Sequence, residues 1–234
     1  MFRNKKIMII VAHPDDEILG LGSTINRLIN EDNINVHTLI LGEGITSRSD
    51  SRNKERWLSE LKIHNNNIEK ARSIIGYQSL STYQFPDNRF DTIALLDIVK
   101  VIENEKEKFK PDIIFTHHHG DLNIDHQITN NAVITSCRPV NNQAPEAIIS
   151  FETPSSTEWN IKKNKNSFQP NLFFKISKSN LDAKIKAMES YIYEKREYPH
   201  PRSPEALKIL AQRNGLLIGV NYAEAFEILR LIKI

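Results

Sequence analysis

The sequence lacks several features that mark particular classes of protein. It has one cysteine, Cys137, in 234 residues, so no internal disulfide can form and we expect a cytoplasmic protein. Its apolar runs, such as Ile7–Ala12, are far too short to span a membrane. The apolar stretch near the N-terminus breaks at His13–Asp16, which favours a buried strand over an export signal. We therefore expect neither a membrane span nor a secretory leader.

An excess of charge of one sign and a glycine-rich loop are also missing. The 31 basic and 29 acidic residues give a net charge of +2, which gives no reason to expect a nucleic-acid partner. The chain has eight glycines, and none directly follows the first predicted strand, where dinucleotide-binding folds have their phosphate loop. Gly20–Gly22 lies too far along the chain for that role. A noncatalytic nucleotide-binding module is therefore a remote alternative.

Short β-branched strand patterns alternate with amphipathic helix patterns along the chain. The predicted strands are Lys6–Ala12, Asn35–Gly42, Leu80–Phe85, Asp112–Thr116, Ala147–Glu152 and Leu172–Lys175. The predicted helices are Asp15–Asn30, Arg56–Ile75, Asp91–Lys108, Asp125–Cys137, Asn180–Glu194 and Pro204–Asn214. The Lys- and Asn-rich segment Asn160–Ser167 is predicted to be an exposed loop. This order predicts a single α/β domain over residues 1–234, with a Rossmann-like, mostly parallel sheet and helices on both faces.

Two polar clusters directly follow predicted strands. His13–Glu17 follows the first strand, and His117–Asp121 follows the fourth. In open α/β sheets, ligands bind outside the carboxyl ends of the strands, and the ends of parallel strands share one edge. We therefore expect the two clusters to meet at one site.

The first cluster contains residue types that bind metals. His13 and Asp16 are three residues apart at a helix start, so their side chains can converge on one point. Zinc accepts both an imidazole nitrogen and a carboxylate oxygen. Asp15 points elsewhere, and a carboxylate there can take a proton from water. Glu17 is expected to support His13 or the helix start, although all three acids could simply complement the helix dipole.

The second cluster offers more histidines than one metal can bind. Catalytic zinc commonly has three protein ligands, and we select His126, at a predicted helix start, as the third. Asp125 is predicted to orient a histidine from behind. His117, His118 and His119 cannot all face one metal, because side chains alternate along an extended chain. The sequence leaves open which of them lines the site.

These motifs resemble those of the PIG-L/LmbE-like family of zinc-dependent N-deacetylases. That family carries an A-H-P-D-D-E motif after its first strand, which here is Ala12–Glu17. Its later H-x-D-H or N-x-D-H motif corresponds to Asn123–His126, and Tyr222–Phe226 resembles its C-terminal segment. The resemblance covers essentially the whole chain.

The resemblance implies roles for five residues. His13, Asp16 and His126 would hold zinc, although ferrous iron can occupy the same ligands. Asp15 would be the general base for the attack of water on an amide carbonyl. Many members have a histidine that stabilises the oxyanion where this chain has Asn123. Asparagine can donate a hydrogen bond but cannot carry a positive charge, so either Asn123 donates as a neutral group or another residue takes this role.

Further polar residues on the same predicted edge are candidates for binding substrate. They are Arg48, His64, Asp87, Arg89, His118, His200 and Arg202. Many relatives place a substrate-binding arginine near His64, a role that Arg48 or Arg52 can fill here. The aspartate and arginine that follow the third predicted strand can instead form a turn with its own hydrogen bonds. The last two candidates lie in a proline-rich loop that can close over the site.

The function implied by the resemblance is hydrolysis of an N-acetyl group from an acetamido sugar. The sugar can be linked to a nucleotide, a glycan or a small molecule, and Gly120–Asn123 resembles members in surface-polysaccharide biosynthesis. The alternative keeps the site but changes the bond, to removal of an O-acetyl ester. The expected partner is thus a small molecule, and the sequence does not indicate an oligomeric state.

Overall fold

Seven strands form one sheet in the computed structural model, which describes residues 2–50, 52–53, 55–140, 144–161 and 167–232. The strands are β1 (Lys6–Val11), β2 (Asn35–Gly42), β3 (Ser79–Phe85), β4 (Ile113–His117), β5 (Ala147–Phe151), β6 (Leu172–Lys175) and β7 (Ala223–Leu231). The helices are α1 (Asp16–Asp32), α2 (Leu58–Ile75), α3 (Leu95–Phe109), α4 (Ile124–Ser136), α5 (Lys178–Ser190) and α6 (Pro204–Ile218).

The strand order β3-β2-β1-β4-β5-β7-β6 places β1 and β4 side by side near the middle of the sheet. The strands from β3 to β5 in this order are parallel, and β7 runs antiparallel to both β5 and β6. The predicted α/β fold with a mostly parallel sheet is confirmed. Because β1 and β4 are parallel neighbours, the two polar clusters that follow them emerge next to each other.

The first strand is buried on both faces because its side chains alternate between two apolar layers. Ile7, Ile9 and Val11 belong to one layer, while Met8 and Ile10 belong to the other. Helices α1, α2 and α5 pack against the first layer, and α3 and α4 pack against the second. Each such side chain stabilises the fold by about 1.5–3 kcal/mol when fully buried. This packing holds the end of β1 rigidly.

Helix α1 is interrupted in its middle, and a side chain of the last strand, β7, accepts hydrogen bonds where the second half of the helix begins. Leu21 has a φ of −149°, outside the helical range. The backbone N–H groups of Ser23 and Thr24, which begin the second half, donate to the carboxylate of Glu224 in β7 at 3.3 and 2.7 Å. Lys184 of α5 donates to the same carboxylate at 2.6 Å. Glu224 thus supplies acceptors that this helix start would otherwise lack.

The strand at Ala223–Leu231 is absent from the elements that the sequence pattern predicts. Two glutamates interrupt its apolar residues, and one of them, Glu224, is buried in the first half of the strand. That burial depends on its ion pair with Lys184, which is distant in the sequence. The strand therefore cannot be recognised from the local sequence pattern.

The other predicted elements differ from the structure mainly at their ends. The helix predicted over Asn180–Glu194 begins at Lys178 and ends at Ser190. Residues 162–166 of the predicted loop Asn160–Ser167 lie outside the described residues. Among the described residues, no helix combines the length and apolarity needed to cross a membrane.

Candidate active site

Three buried side chains direct their donor atoms at one point beyond the ends of β1 and β4. His13 follows β1, Asp16 begins α1, and His126 lies in the first turn of α4. Nδ1 of His13 and Nε2 of His126 lie 3.5 and 3.3 Å from Oδ2 of Asp16. The donor atoms of the three residues all lie within 4.8 Å of one another. The structure thus brings together the three residues that the motifs indicate as metal ligands.

Each histidine meets a carboxylate at the ring nitrogen that faces away from this point. Oδ2 of Asp125 lies 2.9 Å from Nε2 of His13, and its Oδ1 accepts the backbone N–H of Phe90 at 2.9 Å. Oδ1 of Asp121 lies 3.2 Å from Nδ1 of His126. Carboxylates in this position fix the orientation of a ligand histidine and raise its basicity. Asp125 therefore lies behind one of the two histidines, His13, in a position from which it can orient the ring.

Asp121 is a site residue that sequence reasoning missed. Its carboxylate accepts hydrogen bonds from the hydroxyl groups of Ser156 and Thr157, the latter at 2.6 Å. Burial raises the pKa of Asp121, but His126 and these hydrogen bonds outweigh burial and lower the pKa to about 2. Asp121 is therefore ionised at neutral pH. Its hydroxyl partners lie 35 and 36 residues away, so only its place just before the second motif could have drawn attention to it.

His117 faces the donor atoms but is not available as a ligand. The backbone N–H of Ala12 donates to its Nε2 at 3.0 Å, and its Nδ1 lies 3.1 Å from Oγ1 of Thr153. Burial, helped by the nearby His126, lowers the pKa of His117 to about 4, so the ring is neutral. Its ring stacks on that of His126 at 3.9 Å between centroids. His117 therefore packs against a ligand and holds the end of β1.

His118 and His119 turn away from the site. Nδ1 of His118 lies 3.2 Å from Oε2 of Glu227 in β7, and His119 is exposed. Neither residue lines the cavity above the donor atoms. The geometry therefore does not support the expectation that His118 binds substrate, which stays a prediction. The reason is the alternation of side chains along the strand, which turns His118 to the side opposite His117.

The donor set suits a divalent transition metal. Two imidazole nitrogens and one carboxylate oxygen are a common ligand set for catalytic zinc, and ferrous iron accepts the same atoms. The carboxylates around the donor atoms favour a positive charge on the two histidines. Burial lowers the pKa of His126, but Asp16 and Asp121 outweigh burial and raise it to about 9. Asp125 and Asp16 likewise outweigh burial and raise the pKa of His13. A bound cation would replace these protons.

Asp15 adopts a backbone conformation that is uncommon for a residue other than glycine. Its φ is 104°, and its backbone N–H donates to Oε2 of Glu17 at 3.0 Å. The other carboxylate oxygen of Glu17 accepts the hydroxyl of Tyr191 at 2.5 Å. Glu17 therefore supports the helix start at Asp15, one of its two expected roles, and its hydrogen bonds do not go to His13.

The carboxylate of Asp15 lines the same cavity as the three donor residues and pairs with an arginine. Nη1 of Arg202 donates to Oδ2 of Asp15 at 2.8 Å and to Oε2 of Glu194 at 2.9 Å. Burial raises the pKa of Asp15 well above its ordinary value, although Arg202 opposes this shift. A carboxylate with a raised pKa is a stronger proton acceptor, so the environment of Asp15 suits a general base.

A cavity of about 280 Å³ opens above these residues. The candidate substrate-binding residues that line it are Arg48, Asp87, His200 and Arg202. Oδ1 of Asp87 lies 3.3 Å from Nε2 of His13, so it shares that nitrogen with Asp125. Arg48 donates to the carboxylate of Glu194 and, at 3.0 Å, to the backbone carbonyl of Tyr193.

Three other residues considered for substrate binding do not line this cavity. His64 is buried edge-to-face against Tyr191, and burial lowers its pKa to about 4. Arg89 is exposed, and its backbone forms the turn after β3. Arg52 is held by both carboxylate oxygens of Glu43, at 2.9 and 3.1 Å. Core packing and the turn thus keep His64 and Arg89 out of the lining, and the expectation that they bind substrate stays a prediction.

Asn123 lies on the cavity wall with both ends of its side-chain amide engaged. Its Oδ1 accepts the backbone N–H of Asp125 at 2.8 Å, which caps α4. Its Nδ2 donates to Oδ1 of Asn88 at 2.9 Å. Helix capping is thus its observed role. Stabilisation of an oxyanion by Asn123 stays a prediction, and Nδ2 has a second N–H for this role beside the one that Asn88 accepts.

Several known proteins are similar to this chain in sequence or in fold. "Uncharacterized deacetylase YaiS" of Escherichia coli strain K12 is 25% identical over 201 residues, which are 81% of this chain and 91% of that protein. The N,N'-diacetylchitobiose deacetylase of Pyrococcus horikoshii superposes with a TM-score of 0.74 and 20% identity, over 96% of this chain and 84% of that one. GalB, the 4-carboxy-2-hydroxymuconate hydratase of Pseudomonas putida KT2440, superposes with a TM-score of 0.71 and 17% identity, over 98% and 99%.

A family assignment follows from the sequence of the first four strands and of the helices α1 to α4. The family model PIG-L, described as GlcNAc-PI de-N-acetylase, matches residues 8–137, which is more than half of the chain. The matched region contains both motifs and all three donor residues at the point described above. The chain therefore belongs to the PIG-L family.

Proposed function

We propose that the protein is a zinc-dependent hydrolase that removes an N-acetyl group from an acetamido sugar linked to a nucleotide, a glycan or a small molecule. The observation that carries this proposal is the convergence of His13, Asp16 and His126 beside a separate carboxylate, Asp15, in one cavity. Membership of the PIG-L family and the deacetylases among its relatives support the proposal. Ferrous iron is the second candidate for the metal.

The residues of the cavity have different roles in the proposed amide hydrolysis. Zinc held by His13, Asp16 and His126 would supply Lewis-acid chemistry to the acetyl carbonyl and to water. Asp15 accepts a proton from the attacking water, whose oxygen forms a bond to the acetyl carbon. When the carbon–nitrogen bond breaks, Asp15 returns that proton to the departing amine. The products are acetate and the free amino sugar.

The fold alone does not select this reaction, because a hydratase shares it and one fold can host many reactions. The assignment to hydrolysis depends on the donor residues and on Asp15. An O-acetyl esterase would use the same residues, so the bond that is cleaved must be measured directly. The form of Gly120–Asn123 favours a role in surface-polysaccharide biosynthesis, and the single free cysteine favours the cytoplasm.

The test is a mass-spectrometric screen for loss of an acetyl group from free, glycan-linked and nucleotide-linked acetamido sugars. The protein is assayed after loading with zinc or ferrous iron, and the metal-depleted protein is the matched control. We expect acetyl loss from at least one N-acetyl sugar only with metal. Hydrolysis restricted to matched O-acetyl sugars would assign the protein as an esterase, and an equal rate without metal would reject the metal mechanism.

A further inference from the structure

We propose that the outer rim of the cavity binds a phosphate-bearing carrier, such as a nucleoside diphosphate, to which the acetamido sugar is attached. The rim is defined by Trp159, Arg196 and His200, which line the cavity while staying partly or largely exposed. This inference rests on the proposed deacetylation and adds the chemical class of the group beyond the sugar.

The cavity is large enough for an acetamido sugar but not for a carrier attached to it. Its volume of about 280 Å³ lies just below the range of about 300–1,000 Å³ for sites that enclose most of a drug-sized ligand. An acetamido sugar alone is smaller than such a ligand, whereas a sugar with a nucleotide is larger. The donor residues and Asp15 at the inner end fix where the acetyl group must lie. A carrier must therefore pass the rim residues.

Charge along the cavity changes from acidic inside to basic outside. The buried carboxylates at the inner end are Asp15, Asp16 and Asp87. These groups repel an anion, and a bound cation together with Arg202, which pairs with Asp15, would only balance their charge. Farther along the wall, Glu194 accepts hydrogen bonds from both Arg48 and Arg202. A negatively charged substrate group is thus excluded from the inner end and directed outward.

Arg196 differs from the other two arginines of the lining. Arg48 and Arg202 each pair with a carboxylate, whereas Arg196 has no carboxylate within ion-pair distance in the described part of the chain. Its Nη1 donates to the backbone carbonyls of Tyr193 and Lys195, both at 2.9 Å. These contacts hold the guanidinium without neutralising it. A planar guanidinium with free N–H groups is well suited to binding phosphate oxygens.

Trp159 supplies a flat apolar surface close to this charge. Its side chain is 48% exposed, and its ring meets that of His200 edge-to-face at 5.6 Å between centroids. The contact fixes the indole while leaving surface for another ring. Exposed aromatic side chains stack on nucleobases without selecting among them. A nucleoside diphosphate carries both matching groups, because its phosphates can pair with Arg196 and its base can stack on Trp159.

The test uses three substrates with the same acetamido sugar: the methyl glycoside, the 1-phosphate and the nucleoside-diphosphate derivative. With the wild-type holoenzyme, we expect a lower KM for both phosphorylated substrates than for the methyl glycoside. Arg196→Gln should raise KM about tenfold for the two phosphorylated substrates only. Trp159→Ala should raise KM about fivefold for the nucleotide-linked substrate only. In each case kcat should stay unchanged.

Lys195→Gln is the matched control, because Lys195 is an exposed cation next to Arg196 that does not line the cavity. Equal effects of Lys195→Gln and Arg196→Gln would overturn the rim site in favour of general charge attraction. A uronic-acid disaccharide with the same sugar separates the sources of the anion: a lower KM for it than for the phosphorylated sugars would assign the rim to an acidic glycan. Efficient hydrolysis of the methyl glycoside alone would reject the carrier site but keep the deacetylase. Acetyl loss from none of the substrates would instead reject the deacetylase.

Discussion

The hydroxyl of Tyr191, at the end of α5, donates to Oε1 of Glu17 at 2.5 Å, and Oε2 of Glu17 accepts the backbone N–H of Asp15. This contact links a distant helix to the positive φ of the proposed base. We predict that Tyr191→Phe lowers kcat about tenfold with little change in KM, because Asp15 is less well positioned. It should also lower the free energy of unfolding by about 1–3 kcal/mol. Steady-state kinetics and denaturant unfolding measure the two effects.

Tyr77→Phe is the matched control for this substitution. The hydroxyl of Tyr77 is buried without a hydrogen-bond partner among the described residues, so its removal should leave both kcat and stability nearly unchanged. If the two variants behave alike, the hydrogen bond to Glu17 does not position Asp15.

We predict that Asp15→Asn retains the metal and loses about 10²–10⁴ in kcat, the usual contribution of a general acid or base. Asparagine is among the residues that best tolerate a positive φ, so the backbone should keep its conformation. Metal content is checked by elemental analysis and turnover by acetate release. Wild-type turnover in the metal-loaded variant would remove Asp15 from the role of base.

Asp121 should control metal affinity through His126. We predict that Asp121→Asn weakens zinc binding about 10–100-fold, because it removes the charge that faces Nδ1 of the ligand. Competition with a chromophoric chelator measures the affinity. Asp182→Asn is the control, since Asp182 is exposed and, among the residues that the structure describes, forms its ion pair with Lys178 alone. An unchanged affinity in Asp121→Asn would show that the carboxylate does not act through the histidine.

His64 should make the stability of the protein depend on pH. Burial lowers its pKa to about 4, from 6.5, so between these values the unfolded chain binds a proton that the folded protein does not. This contribution to stability is therefore lost as the pH falls from about 6.5 to about 4. Over this range, we predict that the free energy of unfolding falls by about 3 kcal/mol less in His64→Gln than in the wild type.

Denaturant unfolding at several pH values tests this prediction. His119→Gln, at an exposed position, serves as the control and should keep the pH dependence of the wild type. Parallel stability curves for the wild type and His64→Gln would contradict the assignment.

Two substitutions of Asn123 can separate its capping role from its predicted catalytic role. We predict that Asn123→Ala lowers the free energy of unfolding by about 1 kcal/mol, whereas Asn123→Ser retains the cap and most of that stability. If Asn123 also stabilises the oxyanion, both variants should lose kcat with little change in KM. A change in KM alone would place Asn123 in substrate binding.

The sequence was sufficient to predict the fold class and the three donor residues because both depend on local patterns. Strand and helix periods alternate along the chain, and His13, Asp16 and His126 lie between the ends of β1 and β4 and the first turns of the helices that follow them. Parallel neighbouring strands then bring those ends together. The motifs therefore encode the site with little help from the rest of the molecule.

Apart from Asp125, the residues that support the donors could not be predicted, because each depends on a contact between distant parts of the chain. Asp121 is held by hydroxyl groups of a later loop, and Tyr191 reaches Glu17 across 174 residues. The direction of His118 depends on the residue at which β4 ends. No local pattern records which side chain meets which partner, so packing alone determines these positions.

The carboxylate of Glu224 in β7 has a consequence for how the protein is made. The amides of Ser23 and Thr24 in α1 have their acceptor 201 and 200 residues later, so a ribosome has synthesised both motifs long before that acceptor exists. The second half of helix α1 therefore lacks these acceptors until Glu224 has been synthesised. A chain shortened before β7 would keep every proposed catalytic residue and still be inactive, through failed assembly rather than lost chemistry.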